Sequence, residues 1–265
     1  MISVIVPSFN EEDNIKIAAM TIEKILKKHK ISYELLFIDD GSTDKTWREI
    51  CSVSSPRVRG IKLSKNFGKD AAIFAGLTES KGDCSIVIDC DLQHPTEKII
   101  DMYDLWKQGY DIVEGQKNSR GNEKTSRCLA ANAFNSIITS IIGVDMKNSS
   151  DFKLLDRKVV NIIVNMREKK AFFRALSSWV GFNTTSIKFD VKERKNGKSK
   201  WSTMQLIKYA LNSISSFSTA PMQIVTFFGI VMFLLSLVLG TISLFQKING
   251  QALEGFTTVI LILLF

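Results

Sequence analysis

Apolar runs and polar breaks alternate through the first 115 residues in a strand–helix rhythm. Residues 2–6 form a short, β-branched run that predicts a strand, closed by Pro7-Ser8-Phe9-Asn10-Glu11-Glu12-Asp13-Asn14. Ile15, Ala18, Ile22, Ile25 and Leu26 then recur at helical steps. Further strands are predicted over 33–38, 58–63, 85–88 and 111–114. Helices are predicted after the third, through Ala75 and Gly76, and after the fourth, through Ile99, Ile100, Tyr103, Leu105 and Trp106. The repeated order predicts an α/β fold with a mainly parallel sheet and helices on both faces.

Beyond Gly115 the rhythm changes. A polar stretch over 117–124 precedes a helical pattern through Phe134, Ile137, Ile138 and Ile141. Residues 149–157 predict a short strand or turn and the start of a helix, and 171–179 predict a helix with Gly181 beyond it. The segment 189–200 is basic, and after it Trp201, Met204, Ile207, Leu211, Ile214 and Phe217 share one helical face. Such a face suits either a protein core or an anionic membrane surface. The next segment favours the membrane. Residues 222–245 carry no charge and are long enough for a bilayer core, which takes about 20 residues. Residues 255–265 are apolar again but short of a full span. The expected organisation is a catalytic domain over 1–200, an interfacial amphipathic helix over 201–220, a transmembrane helix over 221–245 and the start of a second over 255–265.

The 265 residues carry a net charge of +8 and four cysteines without a Cys-x-x-Cys pair. Zinc and disulfide frameworks are therefore not expected. The first strand begins at the N-terminus with no signal peptide ahead of it. The lysines before Pro221 place the N-terminal domain on the cytoplasmic side of a multi-pass inner-membrane protein. No Gly-x-x-x-x-Gly-Lys-Ser/Thr and no Gly-x-Gly-x-x-Gly occurs, which excludes a P-loop and counts against a dinucleotide fold.

The candidate chemistry lies in Asp89-Cys90-Asp91-Leu92-Gln93-His94-Pro95. On an extended chain the i, i+2 spacing points both carboxylates to one side, and Pro95 can open the next helix. Two carboxylates and an amide make a hard-oxygen site for Mg²⁺ or Mn²⁺. A second acidic cluster, Asp39-Asp40-Gly41-Ser42-Thr43-Asp44, follows the second strand and would face the same crevice. Gly41 permits a tight turn, and Ser42, Thr43 or Asp44 can cap the next helix. Lys65 and Lys69 could meet phosphate beside it.

Together with Pro7-Ser8-Phe9-Asn10-Glu11, Asn66-Phe67-Gly68-Lys69, Ser150-Asp151-Phe152 and Arg194-Lys195-Asn196-Gly197-Lys198-Ser199-Lys200-Trp201, these motifs give the chain a resemblance. It resembles the family 2 glycosyltransferases of GT-A fold, specifically the polyprenyl-phosphate glycosyltransferases. Ser8 and Phe9 replace the more usual aromatic pattern before Asn-Glu, and one proline instead of two follows His94. The resemblance implies inverting transfer of a sugar from a nucleotide sugar, UDP-glucose first, to a polyprenyl (undecaprenyl) phosphate. UDP-N-acetylhexosamine, UDP-4-amino-arabinose derivatives and GDP-mannose stand behind that donor. It implies Asp89, Asp91 and Gln93 at the metal and donor diphosphate. Pro7, Asn10, Glu11, Asp39, Asp40, Gly68, Lys69 and Cys90 would lie at the nucleotide. Arg120, Arg127, Arg194, Ser199 and Lys200 would lie at phosphates and acceptor, and Asp151 would be the acceptor-side acid, counted with Asp89 and Asp91 as catalytic. Implied partners are the nucleotide sugar, the lipid phosphate, the membrane and further copies of the chain, as a tetramer, with no nucleic acid.

A lipid phosphate is already ionised near neutral pH and has no proton for a general base to remove. Asp151 is therefore expected to orient a sugar hydroxyl or an arginine. A processive polysaccharide synthase is the rival enzyme, although its Gln-x-x-Arg-Trp signature is poorly matched by Ser199-Lys200-Trp201. A non-catalytic, membrane-tethered nucleotide-sugar-binding module is the other rival.

Overall fold

A computed structural model describes residues 1–118, 150–166, 173–190 and 220–250. The chain divides into two units, Met1–Ser216 and Phe217–Phe265. In the first, β1 (Ile2–Ser8), α1 (Ile15–Lys28), β2 (Tyr33–Asp39), α2 (Thr46–Cys51), β3 (Val58–Lys62), α3 (Lys69–Glu79), β4 (Cys84–Val87) and α4 (Lys98–Lys107) alternate as their patterns predict. Next in the chain come β5 (Ile112–Lys117), β6 (Lys153–Asp156), α5 (Arg157–Asn165), α6 (Phe173–Trp179) and β7 (Thr184–Phe189).

The sheet runs β3-β2-β1-β4-β6-β5-β7. β1, β2, β3 and β4 are mutually parallel. β6 lies antiparallel between β4 and β5, and β7 pairs parallel to β5 at the edge. The mainly parallel sheet is as expected, but the strand over 111–114 is not β4's neighbour. Leu154 and Leu155 of β6 occupy that place, paired with Ile86 and Ser85.

Alternation along the strands divides the core. Val4, Val6, Leu35, Phe37 and Ile86 join the core built with Ile15, Ala18, Ile22, Ile99 and Met102 of α1 and α4. α3 covers the other face, where its Gly76 meets β1 and β2. A Cβ there would lie 2.4 Å from Ile5 and 2.8 Å from Ile38. Each fully buried Ile, Leu or Phe contributes about 1.5–3 kcal/mol, and the absent Cβ lets α3 sit low on the sheet.

Pro7 is buried in a central strand, where a missing N–H is normally costly. Ile5 turns its backbone to β4, accepting from Ile88 N at 3.0 Å. Pro7, two residues on, shares that side, but β4 ends opposite Ile5. The missing donor therefore breaks no ladder bond, and the chain is free to open at the sheet's C-terminal edge.

In the second unit α7 (Ala220–Ile248) contains Val225–Ile248, long and apolar enough to cross a membrane. Its apolar side chains are largely exposed, Phe227 at 63% and Phe245 at 67%. The helix extends past the expected end at 245, through Lys247. It is the one such helix among the described residues. The amphipathic helix expected over 201–220, apart from its last residue, and the second span expected over 255–265 lie outside the described residues.

Candidate active site

Three loops meet beyond the C-terminal ends of β1, β2 and β4, the edge where open α/β sheets bind ligands. The first two are stitched together by their own side chains. Asn10, held at φ 54°, accepts from Thr43 N at 2.9 Å and donates its own N–H to Ser42 Oγ at 2.9 Å. Glu11 N donates to Thr46 Oγ1 at 2.8 Å, and Asp44 caps α2 by accepting from Thr46 N at 2.9 Å. Glu11's carboxylate accepts from Asn14 Nδ2 at 2.6 Å.

Asp39 and Asp40 do different work. Asp39 is fully buried; its Oδ1 accepts from Ser42 N at 2.9 Å, and Oδ2 has no hydrogen-bond partner. A buried carboxylate oxygen without a partner is one that a hydroxyl or N–H donor from a ligand would satisfy. Asp40 instead accepts from Phe67 N and Gly68 N at 2.8 and 2.9 Å, so it anchors the loop ahead of α3. Burial pushes its carboxyl up despite those two bonds and is reinforced by Asp39's charge. Gly41, at φ 67°, lets the two loops touch: a Cβ there would lie 2.4 Å from the Lys65 carbonyl carbon.

The third loop departs from expectation. β4 ends at Val87, and Asp89-Cys90-Asp91 forms a turn in place of a continued strand, with Asp89 O accepting from Leu92 N at 3.4 Å. Leu92 takes φ 55°, and Asp91 Oδ1 accepts from Gln93 N at 3.1 Å. Turn geometry therefore brings the carboxylates to the edge. α4 starts at Lys98, after a turn in which Pro95 O accepts from Lys98 N, so Pro95 does not open it directly. Cys90 points inward, 3% exposed, with burial pushing its thiol up against the opposing effect of Ser8. His94 is buried, stacked on Phe152 at 5.0 Å and edge-on to Phe189 at 5.3 Å. Its Nδ1 lies 3.9 Å from Asp89 Oδ2 without a hydrogen-bond partner. Burial holds the imidazole below its usual value, so it is neutral at pH 7.

Asp151 joins this edge through β6. Arg174 of α6 grips it with Nε on Oδ1 at 3.2 Å and Nη2 on Oδ2 at 3.1 Å. Lys69 Nζ, at the start of α3, lies 2.8 Å from Asp151 Oδ2 and 2.6 Å from Asp89 Oδ1. Burial pushes Asp151 up, but Arg174 and Lys69 outweigh it and hold the carboxyl well below the usual range. Burial also opposes the charge on Lys69, yet Asp151 and Asp89 hold its ammonium above the usual value. Asp89 is likewise held low, Lys69 overcoming burial.

Sequence reasoning missed Arg174. The only signal was one cation within the apolar run Phe173-Arg174-Ala175-Leu176. It also missed Lys153, which is fully buried under α6. Its ammonium donates to Ser177 Oγ, Ser178 Oγ and Arg174 O at 2.9, 3.0 and 3.2 Å and lies 3.1 Å from Glu114 Oε1. Arg120, Arg127, Arg194, Ser199 and Lys200 lie outside the described residues.

Among the described residues no three His, Cys, Asp or Glu side chains converge as a ready metal cage. A Mg²⁺-type ion does not require one, since it commonly takes one or two carboxylates and completes its shell with water and substrate phosphates. Asp89 and Asp91 on one turn, with Gln93 tied to it through its backbone N, supply the residue types of that kind of donor set. The cation that Asp89 already holds, the Lys69 ammonium, marks the place as one that favours positive charge.

The chain matches the family described as glycosyl transferase family 2 over residues 3–172. It is 37% identical over 270 residues to the putative glycosyltransferase CsbB of Bacillus subtilis, covering all of this chain and 82% of that protein. It is 34% identical over 268 residues to the prophage bactoprenol glucosyl transferase homolog of Escherichia coli, covering all of this chain and 88% of that protein. Among solved structures it is similar to glucosyl-3-phosphoglycerate synthase from Mycobacterium tuberculosis, in complex with Mn²⁺, UDP and phosphoglyceric acid. That likeness has a TM-score of 0.52 at 19% identity, covers 82% of this chain and 76% of that one, and concerns the fold alone. With its GT-A-like sheet, its paired acidic loops and these matches, the chain belongs to glycosyl transferase family 2.

Proposed function

We propose that the protein transfers a sugar, UDP-glucose being the first donor to test, from a nucleotide sugar to a polyprenyl phosphate at the cytoplasmic face of a membrane. The observation that carries this reading is the double grip on Asp151. An acid held by Arg174 and Lys69 and kept ionised well below the usual range is a weak proton acceptor. A hydroxyl acceptor needs a base in that position, whereas a phosphate acceptor arrives ionised and needs cations. The name of the E. coli relative, a bactoprenol glucosyl transferase homolog, points the same way.

Asp39 would take a ribose or base hydrogen bond on its unpartnered Oδ2, with Pro7, Asn10, Glu11 and Cys90 beside the nucleotide. Asp40 and Gly68 would hold the loop that presents Lys69. Asp89, Asp91 and Gln93 would hold Mg²⁺ or Mn²⁺, which would neutralise the departing nucleoside diphosphate as a Lewis acid. Arg174, and from outside the described residues Arg120, Arg127, Arg194, Ser199 and Lys200, would meet the acceptor phosphate. Asp151 would aim Arg174 and Lys69 without removing a proton. Domain 1–200 would carry the chemistry, with 201–220 lying along the interface. The spans at 221–245 and from 255 would anchor it as a homo-oligomer, a tetramer in this reading.

The test is to incubate the detergent-solubilised full chain with undecaprenyl phosphate and a panel of nucleotide sugars, with and without chelator, and to weigh the lipid. A mass gain of one hexose that chelator abolishes is expected. A polymeric product, or no donor turnover with any lipid phosphate, would overturn the reading.

A further inference from the structure

Lys69 stands between two carboxylates that the proposed chemistry assigns to different substrates. Its Nζ is 2.6 Å from Asp89 Oδ1 and 2.8 Å from Asp151 Oδ2. The two acids come from separate elements, the turn after β4 and the approach to β6, and an ammonium at these distances is the link between them. Asp89's other oxygen is not an equal alternative for an ion. Oδ2 lies 3.9 Å from His94 Nδ1, on a side filled by a buried imidazole packed against Phe152 and Phe189. An incoming divalent ion would therefore take Oδ1, the oxygen Lys69 occupies.

We infer that Lys69 is a built-in counter-ion that competes with the divalent ion for Asp89 and couples release of Asp89 to its hold on Asp151. This rests on the proposal that Asp89 is a metal ligand. Two like charges cannot share one carboxylate oxygen without strong repulsion. When the ion arrives, the ammonium keeps Asp151, 2.8 Å away, as its partner. It is then free to turn toward phosphate oxygens drawn in by the ion. Without metal, Lys69 cancels the charge of Asp89 and spares the turn an unpaired, partly buried carboxylate. Lys69 is thus a positioning residue whose effect is read in metal affinity before any donor is present.

The experiment is a Mn²⁺ titration of the full chain in detergent, without nucleotide, followed by the electron-spin-resonance signal of free Mn²⁺. Wild type, Lys69→Met, Lys69→Gln, Lys69→Arg and Asp89→Asn are compared, each alone, and Lys69→Met is also combined with Asp89→Asn. Removing the ammonium is expected to tighten Mn²⁺ by about tenfold, a usual size for coupling between two ligands. Lys69→Arg, which keeps the charge, should stay near wild type, and Asp89→Asn should abolish the gain. Lys69→Gln gives the same reading should Lys69→Met lose its cooperative thermal transition. If Asp89→Asn weakens Mn²⁺ while neither neutral variant tightens it, Lys69 does not compete and the inference fails with the metal site intact. If Asp89→Asn leaves Mn²⁺ binding unchanged, the metal reading itself fails, and this inference with it.

Discussion

Arg174 holds Asp151 with two prongs, Nε to Oδ1 at 3.2 Å and Nη2 to Oδ2 at 3.1 Å. A carboxylate bound side-on by a guanidinium is fixed in plane and stays ionised, which suits orientation better than proton transfer. The two residues lie 23 positions apart, on β6's approach and on α6, so the pair also fixes α6 against the sheet edge.

Asp151→Asn tests the orienting role. A lost general base costs about 10²–10⁴ in rate and removes a limb of the pH profile. An orienting acid predicts a fall of roughly tenfold in kcat/KM with the pH profile unchanged in shape. Arg174→Ala should raise KM for the lipid phosphate more than for the nucleotide sugar. The double variant should lose less than the two single losses multiplied, because both act through one contact. Steady-state kinetics from mildly acidic to mildly alkaline pH would check this; a lost titration in Asp151→Asn would restore the base.

Lys153 supports the helix that carries Arg174. It is fully buried, and its ammonium binds Glu114, two serines and the Arg174 carbonyl. Burial lowers its pKa, opposed by Glu114. Lys153→Met strips Glu114 of that cation and is expected to cost about 3–5 kcal/mol. Pairing it with Glu114→Gln should recover much of the loss, since the double variant removes both buried charges together. Thermal unfolding of the three variants decides it; equal melting of single and double variants would mean the pair is not coupled.

The parallel half of the sheet was legible because its signals are local. β1 is a β-branched run and β2 a largely apolar one, and Ile15, Ala18, Ile22 and Leu26 repeat within one helix. In the other half β5 and β6 were legible as short segments, but their pairing order was not. Inserting β6 between β4 and β5 depends on a pairing of Ile86 with Leu154, far apart in the chain, and a lysine in that strand disguises its burial. β7 reads Thr-Thr-Ser-Ile-Lys-Phe, an edge strand with only Phe189 buried, too polar to stand out. In the candidate site, the acids after the strands gather at one sheet edge, but the contacts of each were not readable one by one. Asp40 caps a neighbouring loop through two backbone N–H groups, and Arg174 gains a role only once Asp151 is folded beside it.

Asp70 carries a pH signature of its own. Burial and the charge of Asp151 push it up to about 6, against a bond from Phe173 N and the cations Lys69 and Arg174. The unfolded chain titrates it near 3.8. Between these values the native state keeps a proton that the unfolded state releases, so this group's stabilisation is full below about pH 4 and is lost as pH rises through 6. Asp70→Asn keeps an oxygen to accept from Phe173 N, 3.0 Å away, and removes the charge. It is expected to be more stable than wild type at about pH 7.5 by about 3 kcal/mol, with the gap narrowing to about 1 kcal/mol near about pH 4.5. Melting curves at the two pH values would show it, and a difference independent of pH would refute it.

The helix over Val225–Ile248 bears on acceptor choice. Its 24 residues rise about 36 Å, enough for a hydrocarbon core of about 30 Å. Leu234 and Val238 sit one turn apart near its middle and are 55% and 54% exposed. Arginine at each would cost about 2.5–3.5 kcal/mol per residue in a bilayer centre. A polyprenyl chain leaves the bilayer only at about 0.8 kcal/mol per CH₂, so its enzyme must work at the surface. The L234R/V238R variant of the full chain should therefore keep donor binding and transfer to a short, water-soluble isoprenyl phosphate. Transfer to undecaprenyl phosphate in vesicles should fall by an order of magnitude or more. Equal losses on both acceptors would show that the helix does not bring the site to the lipid.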